Sequence, residues 1–249
     1  RNTHLIQQVS LYEKYIPKTI RYKLVLLFQM IFNRNAYLAH KDYVSTDYRQ
    51  KCVHIMEAMN YAKIALLPKV YLEFGCHSGR TFSAAIRASR ELSILEDTSF
   101  YAFDSFEGLP ETTDDDGIFE SGTFLTGIAD FKKALEKQAS YKISDDSIVK
   151  GFYSDSLTSE LQAKMPKVGV VHIDVDLYSS TVEVLSFIKP LLVPGSVLIF
   201  DDWYCFPAGS NLGESRALHE FLDENPCFKV IEWKSYSSFG KSFFVTDVE

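Results

Sequence analysis

The stretch Val170-Val171-His172-Ile173-Asp174-Val175-Asp176 decides the fold, because an apolar, β-branched run ends abruptly in carboxylates. A second run, Val197-Leu198-Ile199-Phe200-Asp201-Asp202-Trp203, ends in the same way. Apolar runs of this length predict buried strands of an α/β sheet. Because ligands of such sheets lie beyond the carboxyl ends of the strands, the two runs would aim three or four carboxylates at one place. That arrangement suits a divalent cation with oxygen ligands, Mg²⁺ above all, better than it suits a core.

Strand-like and helix-like patterns alternate from Lys69 onward, which predicts a mainly parallel sheet covered on both faces. The predicted strands are residues 70–74, 100–103, 147–152, 168–173, 196–200, 228–233 and 242–246. The predicted helices cover about 81–93, 130–139, 180–188 and 214–225, the third with Ser179, Ser180 or Thr181 as its cap. No helix separates the last two strands, so we expect an antiparallel pair at an edge of the sheet.

Residues 1–66 have a helical pattern and are predicted to form an N-terminal cap or lid, separate from an α/β domain over 67–249. One helix face is marked by apolar residues at spacings of three and four, namely Tyr48, Cys52, Ile55, Met56, Met59 and Ala62. Ser45, Thr46 or Asp47 is predicted to cap this helix.

Charge and composition narrow the possible functions. The net charge of −7 argues against a nucleic-acid-binding surface, although residues 1–70 carry 11 Lys and Arg against 4 Asp and Glu. That basic segment is either an extension with its own role or a solvated helix face. The apolar stretch 24–32 is far shorter than the ~20 residues of a membrane span. The 4 cysteines form no C-x-x-C pair, so we expect a reduced, cytoplasmic protein.

A glycine turn, Glu73-Phe74-Gly75-Cys76-His77-Ser78-Gly79, follows the first strand. Its spacing is G-x-x-x-G, which lacks the G-x-G-x-x-G pattern of dinucleotide sites and favours a smaller cofactor. Asp104 ends the second strand, where its carboxylate could accept hydrogen bonds from ribose hydroxyls, and Ser105 follows it. The segment 151–155 follows the third strand.

The E-x-G-x-x-x-G turn resembles motif I of S-adenosylmethionine-dependent methyltransferases. The resemblance implies that the turn holds the methionine end of the cofactor and that the strand ends after it hold the ribose and the adenine. The implied cofactor-binding residues are Glu73, Gly75, Cys76, Ser78, Gly79, Asp104, Ser105, Tyr153, Ser154 and Asp155.

Residues 172–181, with Asp201-Asp202-Trp203 downstream and 101–110 upstream, resemble the macrocin-type sugar O-methyltransferases. The resemblance spans about residues 70–245. It implies a Rossmann-like methyltransferase fold with a seven-stranded sheet, one antiparallel edge strand and an N-terminal helical lid that makes oligomer contacts. It also implies a Mg²⁺ ion held by Asp174, Asp201 and Asp202 that chelates two neighbouring hydroxyls of a sugar. Ser45 and Thr46 would reach the methionine carboxylate.

The proton acceptor is left open by the sequence. Catechol-type relatives have a lysine three residues after the first metal-binding aspartate, where this chain has Leu177. Asp174 and Asp176 are therefore the predicted catalytic bases. His172 shares the Asp174 face of its strand and is either part of the site or a core histidine with its partners satisfied.

The sequence thus predicts a Mg²⁺- and S-adenosylmethionine-dependent O-methyltransferase acting on a small hydroxylated acceptor such as a glycoside. We expect a homo-oligomer, formed through the N-terminal helices, that neither binds nucleic acid nor spans a membrane. Three alternatives stay open: a metal-independent methyltransferase with Asp174 or Asp176 as base, a nicotinamide-dependent oxidoreductase, and a binding protein without chemistry.

Overall fold

The structure is a computed structural model that describes residues 18–32, 34–113, 117, 119–207 and 212–248. The chain divides into two compact units, Arg1–Arg49 and Gln50–Glu249. The division falls earlier than the predicted boundary at residue 66, because Ile55, Ala58 and Met59 are buried in the core of the second unit.

The first unit contains helix α1, Lys18–Phe32, and the beginning of helix α2, Arg34–Ile64. Helix α2 continues without a break through residues 45–47. The prediction that Ser45, Thr46 or Asp47 caps a helix is therefore wrong, since the helical pattern extends upstream of the apolar face that suggested the start. Among the described residues, no helix combines the length and the apolar character that crossing a bilayer requires.

The second unit is built on seven strands and the helices that connect them. The strands are β1 Val70–Phe74, β2 Ser99–Asp104, β3 Ile148–Lys150, β4 Val168–Ile173, β5 Leu192–Phe200, β6 Lys229–Tyr236 and β7 Gly240–Asp247. The helices are α3 Arg80–Glu91, α4 Ile128–Ala139, α5 Tyr153–Ser156, α6 Ser159–Gln162, α7 Tyr178–Ile188 and α8 Gly213–Glu224. Within the described residues, short 3₁₀ segments also occur at Leu95–Asp97, Asp145–Ser147 and Lys189–Leu191.

The sheet has the order β3-β2-β1-β4-β5-β7-β6 and confirms the predicted Rossmann-like fold. The pairs from β3 to β5 are parallel, and β7 pairs antiparallel with both β5 and β6. The chain runs outward from β1 to β3 and then returns to place β4 on the other side of β1. In sheets of this topology the ligand crevice opens at that reversal, beyond the carboxyl ends of β1 and β4.

Successive residues of the strands face opposite sides of the sheet, and each side has its own core. In β1, Tyr71 packs with α3 residues such as Phe82 and Ile86, whereas Leu72 packs with α7 residues such as Val184. Burial on both faces explains why β1 and β4 are apolar without the alternation of a half-exposed strand.

The start of helix α7 differs from the prediction. Tyr178 is its first residue and Leu177 its N-cap, with no side-chain capping hydrogen bond. The prediction that Ser179, Ser180 or Thr181 caps this helix is wrong, because a tight turn after Asp174 starts the helix earlier.

Candidate active site

A cleft of about 500 Å³ lies at the carboxyl ends of the strands in the second unit. Its floor is formed by residues that directly follow β1, β2, β4 and β5, the first being Gly75 and the last Asp202. The predicted site residues that line it are Gly75, Asp104, Ser105, Tyr153, Ser154, Asp174, Asp176, Asp201 and Asp202.

Three carboxylates meet at one end of this cleft. Asp174, Asp201 and Asp202 each offer an oxygen, and these oxygens lie within 4.8 Å of one another. Asp174 follows β4 and the other two follow β5, so the parallel β4–β5 register, in which Ile173 faces Phe200, brings them together. Asp202 Oδ2 is buried without a hydrogen-bond partner among the described residues. An oxygen cluster with such an orphaned acceptor fits a divalent cation.

Burial and repulsion between neighbouring carboxylates raise the pKa of two members of this cluster. Burial, with the charges of Asp201 and Asp202, raises the pKa of Asp174 well above its usual value. Burial and the charge of Asp201 raise the pKa of Asp202 to about 6. A bound cation would relieve both effects, because it replaces repulsion between carboxylates by attraction to a shared positive charge.

Asp201 is the exception, because its oxygens already have partners. The ammonium of Lys51 donates to Oδ2, and the hydroxyl of Tyr236 donates to Oδ1 over 2.9 Å. Burial acts to raise the pKa of Asp201, but His172 and Lys51 outweigh it and hold that pKa below its usual range. Burial acts to lower the pKa of the Lys51 ammonium, but the charges of the cluster, led by Asp201, raise it above its usual value.

His172 lies fully buried between two carboxylates. Its Nδ1 is 3.3 Å from Glu73 Oε2 and its Nε2 is 3.7 Å from Asp201 Oδ1. Neither contact has hydrogen-bond geometry, so the attraction is that of an imidazolium for two anions. Burial acts to lower the pKa of His172, but Asp201 and Glu73 together raise it to about 10. His172 is fully buried and does not line the cleft, which favours the core interpretation of this histidine over that of a base.

Asp176 is placed by an unusual turn. Its φ of 62° is in the left-handed region, and the Leu177 N–H donates to the Val175 carbonyl over 2.6 Å. Non-glycine residues in this region are uncommon and cluster at functional sites. The turn leaves Asp176 at the cleft wall, where burial and the charges of Asp202 and Asp174 raise its pKa well above the usual value.

The glycine turn and Asp104 are tied together by backbone hydrogen bonds. The N–H groups of Cys76 and His77 both donate to Asp104 Oδ2 over 2.8 Å, and the Phe106 N–H donates to Oδ1 over 2.6 Å. A carboxylate has about four acceptor sites, so Asp104 can still accept a hydrogen bond donated by a hydroxyl of a ligand in the cleft. This fixed carboxylate fits the ribose of an adenosyl cofactor.

Comparison with known proteins gives the family. The family described as macrocin O-methyltransferase (TylF) matches residues 47–230, which is more than half of the chain. The chain belongs to the macrocin O-methyltransferase family. Its resemblance to this family, predicted from residues 172–181, 201–203 and 101–110, is confirmed.

Two relatives and one solved structure illustrate how similar this chain is to known proteins. Mycinamicin III 3''-O-methyltransferase of Micromonospora griseorubida is 29% identical over 143 residues, 53% of this chain and 52% of that protein. The 8-demethyl-8-(2,3-dimethoxy-alpha-L-rhamnosyl)-tetracenomycin-C 4'-O-methyltransferase of Streptomyces olivaceus is 29% identical over 110 residues, 40% of each. The chain spans about half the length of the curated relatives it matches. The O-methyltransferase NovP superimposes with a TM-score of 0.63 at 18% identity, over 78% of this chain and 79% of that one, and shares the fold.

Five residues predicted to bind the cofactor do not line the cleft of this macrocin O-methyltransferase family member. They are Glu73, Cys76, Ser78, Gly79 and Asp155. Glu73 is fully buried, and its two oxygens accept from Tyr71 over 2.5 Å and Thr81 over 2.9 Å. Cys76 faces inward but contributes its backbone N–H to Asp104. The roles of these five residues in binding the cofactor stay predictions, as does that of Thr46, which lies within α2 in the first unit.

The cleft also contains residues that the sequence analysis did not select. They include Lys51, Arg80, Glu111, Phe124 and Glu183. No local pattern singled out Lys51, because a lysine within an amphipathic helix is ordinarily solvated. The only hint was indirect: Leu177 occupies the position of a lysine in catechol-type relatives.

Proposed function

We propose that this chain is a Mg²⁺- and S-adenosylmethionine-dependent O-methyltransferase that methylates a hydroxyl of a sugar or another vicinal diol. The observation that carries the proposal is the carboxylate cluster of Asp174, Asp201 and Asp202, which shares a cleft with Asp104 and the glycine turn. The names of the two relatives, both O-methyltransferases and one of them named for a rhamnosyl tetracenomycin, support natural-product or glycan biosynthesis. The proposal includes the predicted cytoplasmic location.

Each strand end has one task in this proposal. Asp104 would accept a hydrogen bond from a ribose hydroxyl, and Tyr153 and Ser154 would border the adenine. Asp174, Asp201 and Asp202 hold the cation, which when bound supplies positive charge that lowers the pKa of a coordinated hydroxyl. S-adenosylmethionine supplies the electrophilic methyl group. The protein contributes alignment of the hydroxyl with that methyl group.

Asp176 is the proton acceptor that we favour, with Asp174 as the other candidate. Asp174 would be engaged with the cation, whereas Asp176 lies on the cleft wall two residues further along. Burial raises the pKa of Asp176, which makes its carboxylate a stronger base than that of an exposed aspartate. In this scheme a carboxylate oxygen of Asp176 would receive the proton of the acceptor hydroxyl, and the methyl donor would leave as S-adenosylhomocysteine.

The experiment that tests the cation site is methyl transfer to a glycoside panel by the wild type and by Asp201→Asn. We expect Asp201→Asn to lower kcat/KM by at least about a hundredfold, because the charge that stabilises the developing alkoxide is lost. Asp97→Asn is the matched control, since Asp97 is an exposed carboxylate paired with Lys69. A fully active Asp201→Asn enzyme with an unchanged circular dichroism spectrum would remove Asp201 from the mechanism.

A metal-independent methyltransferase is the second candidate, and the ion pair between Lys51 and Asp201 favours it, because an ammonium already neutralises the cluster in part. Transfer that survives exhaustive dialysis against EDTA would select this candidate. Calorimetry with S-adenosylhomocysteine tests the methyl donor in both cases, and tight binding of NADH in its place would refute both.

A further inference from the structure

Lys51 reaches the carboxylate cluster from the C-terminal half of helix α2. Its ammonium forms a hydrogen-bonded ion pair with Asp201 Oδ2 although 150 residues separate the two along the chain. The Lys51 side chain is 20% exposed and lines the cleft, whereas that of Asp201 is 2% exposed. The ammonium therefore lies on the cleft wall, beside a carboxylate that is much less exposed than the lysine side chain.

The two oxygens of Asp201 differ in how firmly their partners are held. Oδ1 faces the Tyr236 hydroxyl at 2.9 Å and His172 Nε2 at 3.7 Å, and both of these groups are buried on strands. Oδ2 is bound by Lys51, whose long side chain can turn into the cleft without moving the backbone. Oδ2 is thus the oxygen of Asp201 that a cation entering from the cleft could bind.

We infer that Lys51 is the resident counter-cation of the carboxylate cluster, and that a divalent cation binds by displacing the ammonium from Asp201 Oδ2 into the cleft. The inference rests on the proposed cation site. Two cations a few ångströms apart repel strongly where solvent is scarce, so the ammonium and the divalent ion exclude each other. The Lys51–Asp201 ion pair holds the carboxylates of the cluster close together before the divalent ion binds, and it weakens the affinity of the cluster for that ion.

The first test uses the wild-type protein. Amine acetylation by an N-hydroxysuccinimide ester, followed by peptide mass spectrometry, measures how accessible Lys51 is with EDTA and with saturating MgCl₂. We expect Lys51 to react slowly in EDTA and severalfold faster with Mg²⁺, because its ammonium is released into the cleft. Lys63 on the same helix is the internal control, since it is exposed and donates to the Leu92 carbonyl away from the cluster. An unchanged Lys51 rate under conditions where Mg²⁺ binds would overturn the inference.

The second test measures the affinity for Mg²⁺ and Mn²⁺ by titration calorimetry in Lys51→Met and Lys63→Met. Lys51→Met removes the competing charge and keeps the length, so its dissociation constant should fall about tenfold or more, while Lys63→Met matches the wild type. Lys51→Arg keeps the charge and should bind no more tightly than the wild type. Lys51→Gln is the alternative should Lys51→Met fold poorly.

The outcomes separate this inference from the proposed function. Equal affinities in the wild type and Lys51→Met would refute displacement and leave the cation site intact. Binding that Asp201→Asn does not weaken would place the ion elsewhere and overturn both ideas. If neither the wild type nor Lys51→Met binds Mg²⁺ or Mn²⁺, the cation site itself is wrong and Lys51 is the permanent cation of a metal-independent enzyme.

Discussion

Gly75 directly follows strand β1 and lies against the backbone of Asp174, which directly follows strand β4. Its φ is +83°, and a Cβ built on it would lie 1.7 Å from the Asp174 carbonyl oxygen. The chain also bonds across this point, since the Gly75 N–H donates to the Phe103 carbonyl over 2.9 Å. Only glycine combines this backbone conformation with this close approach.

Replacing Gly75 by alanine should lower the free energy of unfolding by about 2–5 kcal/mol, from the left-handed backbone and the clash with a carbonyl that cannot move alone. Urea unfolding followed by circular dichroism measures this change. Gly127→Ala is the control, because a Cβ at Gly127 meets nothing within 4 Å. Equal stability of the two variants would contradict this account of the turn.

At the scale of elements, the C-terminal half of helix α2 links the core to the carboxylate cluster. His54, one turn after Lys51, stacks on the Tyr236 ring with a centroid distance of 4.2 Å, and Tyr236 in turn donates to Asp201. Glu57 on the next turn accepts from Lys234 over 2.5 Å and lies 3.3 Å from His54 Nδ1. The helix thus contributes both a core face and charged contacts to strand β6.

This packing predicts a stability that falls in mild acid. Burial lowers the pKa of His54 to about 4, against a value near 6.5 in an unfolded chain. Between these two values the unfolded state binds the extra proton, so the contribution of neutral His54 is complete above pH ~6.5 and is lost as the pH falls toward ~4.

The prediction is tested by urea unfolding at two pH values. On lowering the pH from about 7.5 to about 5, the wild type should lose about 2 kcal/mol more stability than His54→Phe, which keeps the ring stacking. His219→Phe, at an exposed histidine, should behave like the wild type. Parallel pH profiles for the wild type and His54→Phe would show that His54 is not buried in its neutral form.

At the scale of the whole molecule, the first unit exposes an apolar helix face. Ile20, Leu24, Leu27 and Ile31 of α1 are 42–59% exposed and follow one another at spacings of four, three and four. Such spacing places them on one side of the helix. An exposed apolar stripe is the feature expected of a contact between protein chains, in agreement with the predicted homo-oligomer.

A charge on this stripe should therefore weaken self-association. We expect the double variant Leu24→Arg, Leu27→Arg to have a lower molar mass in size-exclusion chromatography with light scattering, because association would bury the new charges. Val182→Arg, at a position of similar exposure on α7, is the control and should keep the wild-type mass. A monomeric wild type, or a double variant of unchanged mass, would refute the predicted oligomer contact.

The amino-acid sequence alone determined the sheet and the placement of most of the candidate site. Two apolar runs, residues 168–173 and 196–200, are each followed by carboxylates. Because neighbouring parallel strands end at the same edge of a sheet, these carboxylates must lie close together. The element boundaries were predicted less accurately than the elements themselves. Strand β5 begins at Leu192 and helix α7 at Tyr178, because strand pairing and a tight turn set these starts and local sequence patterns do not encode either.

The tertiary structure alone decided which groups neutralise the acidic residues. The pairing of Lys51 with Asp201, and the position of His172 between Glu73 and Asp201, join segments far apart in the chain. It also buried Glu73 under Tyr71 and Thr81 and set Asp176 in a left-handed turn. The periodicity of a segment reveals which of its faces is apolar, but the distance between two charges depends on how the segments pack. For that reason the sequence could identify the carboxylates but not their counter-charge.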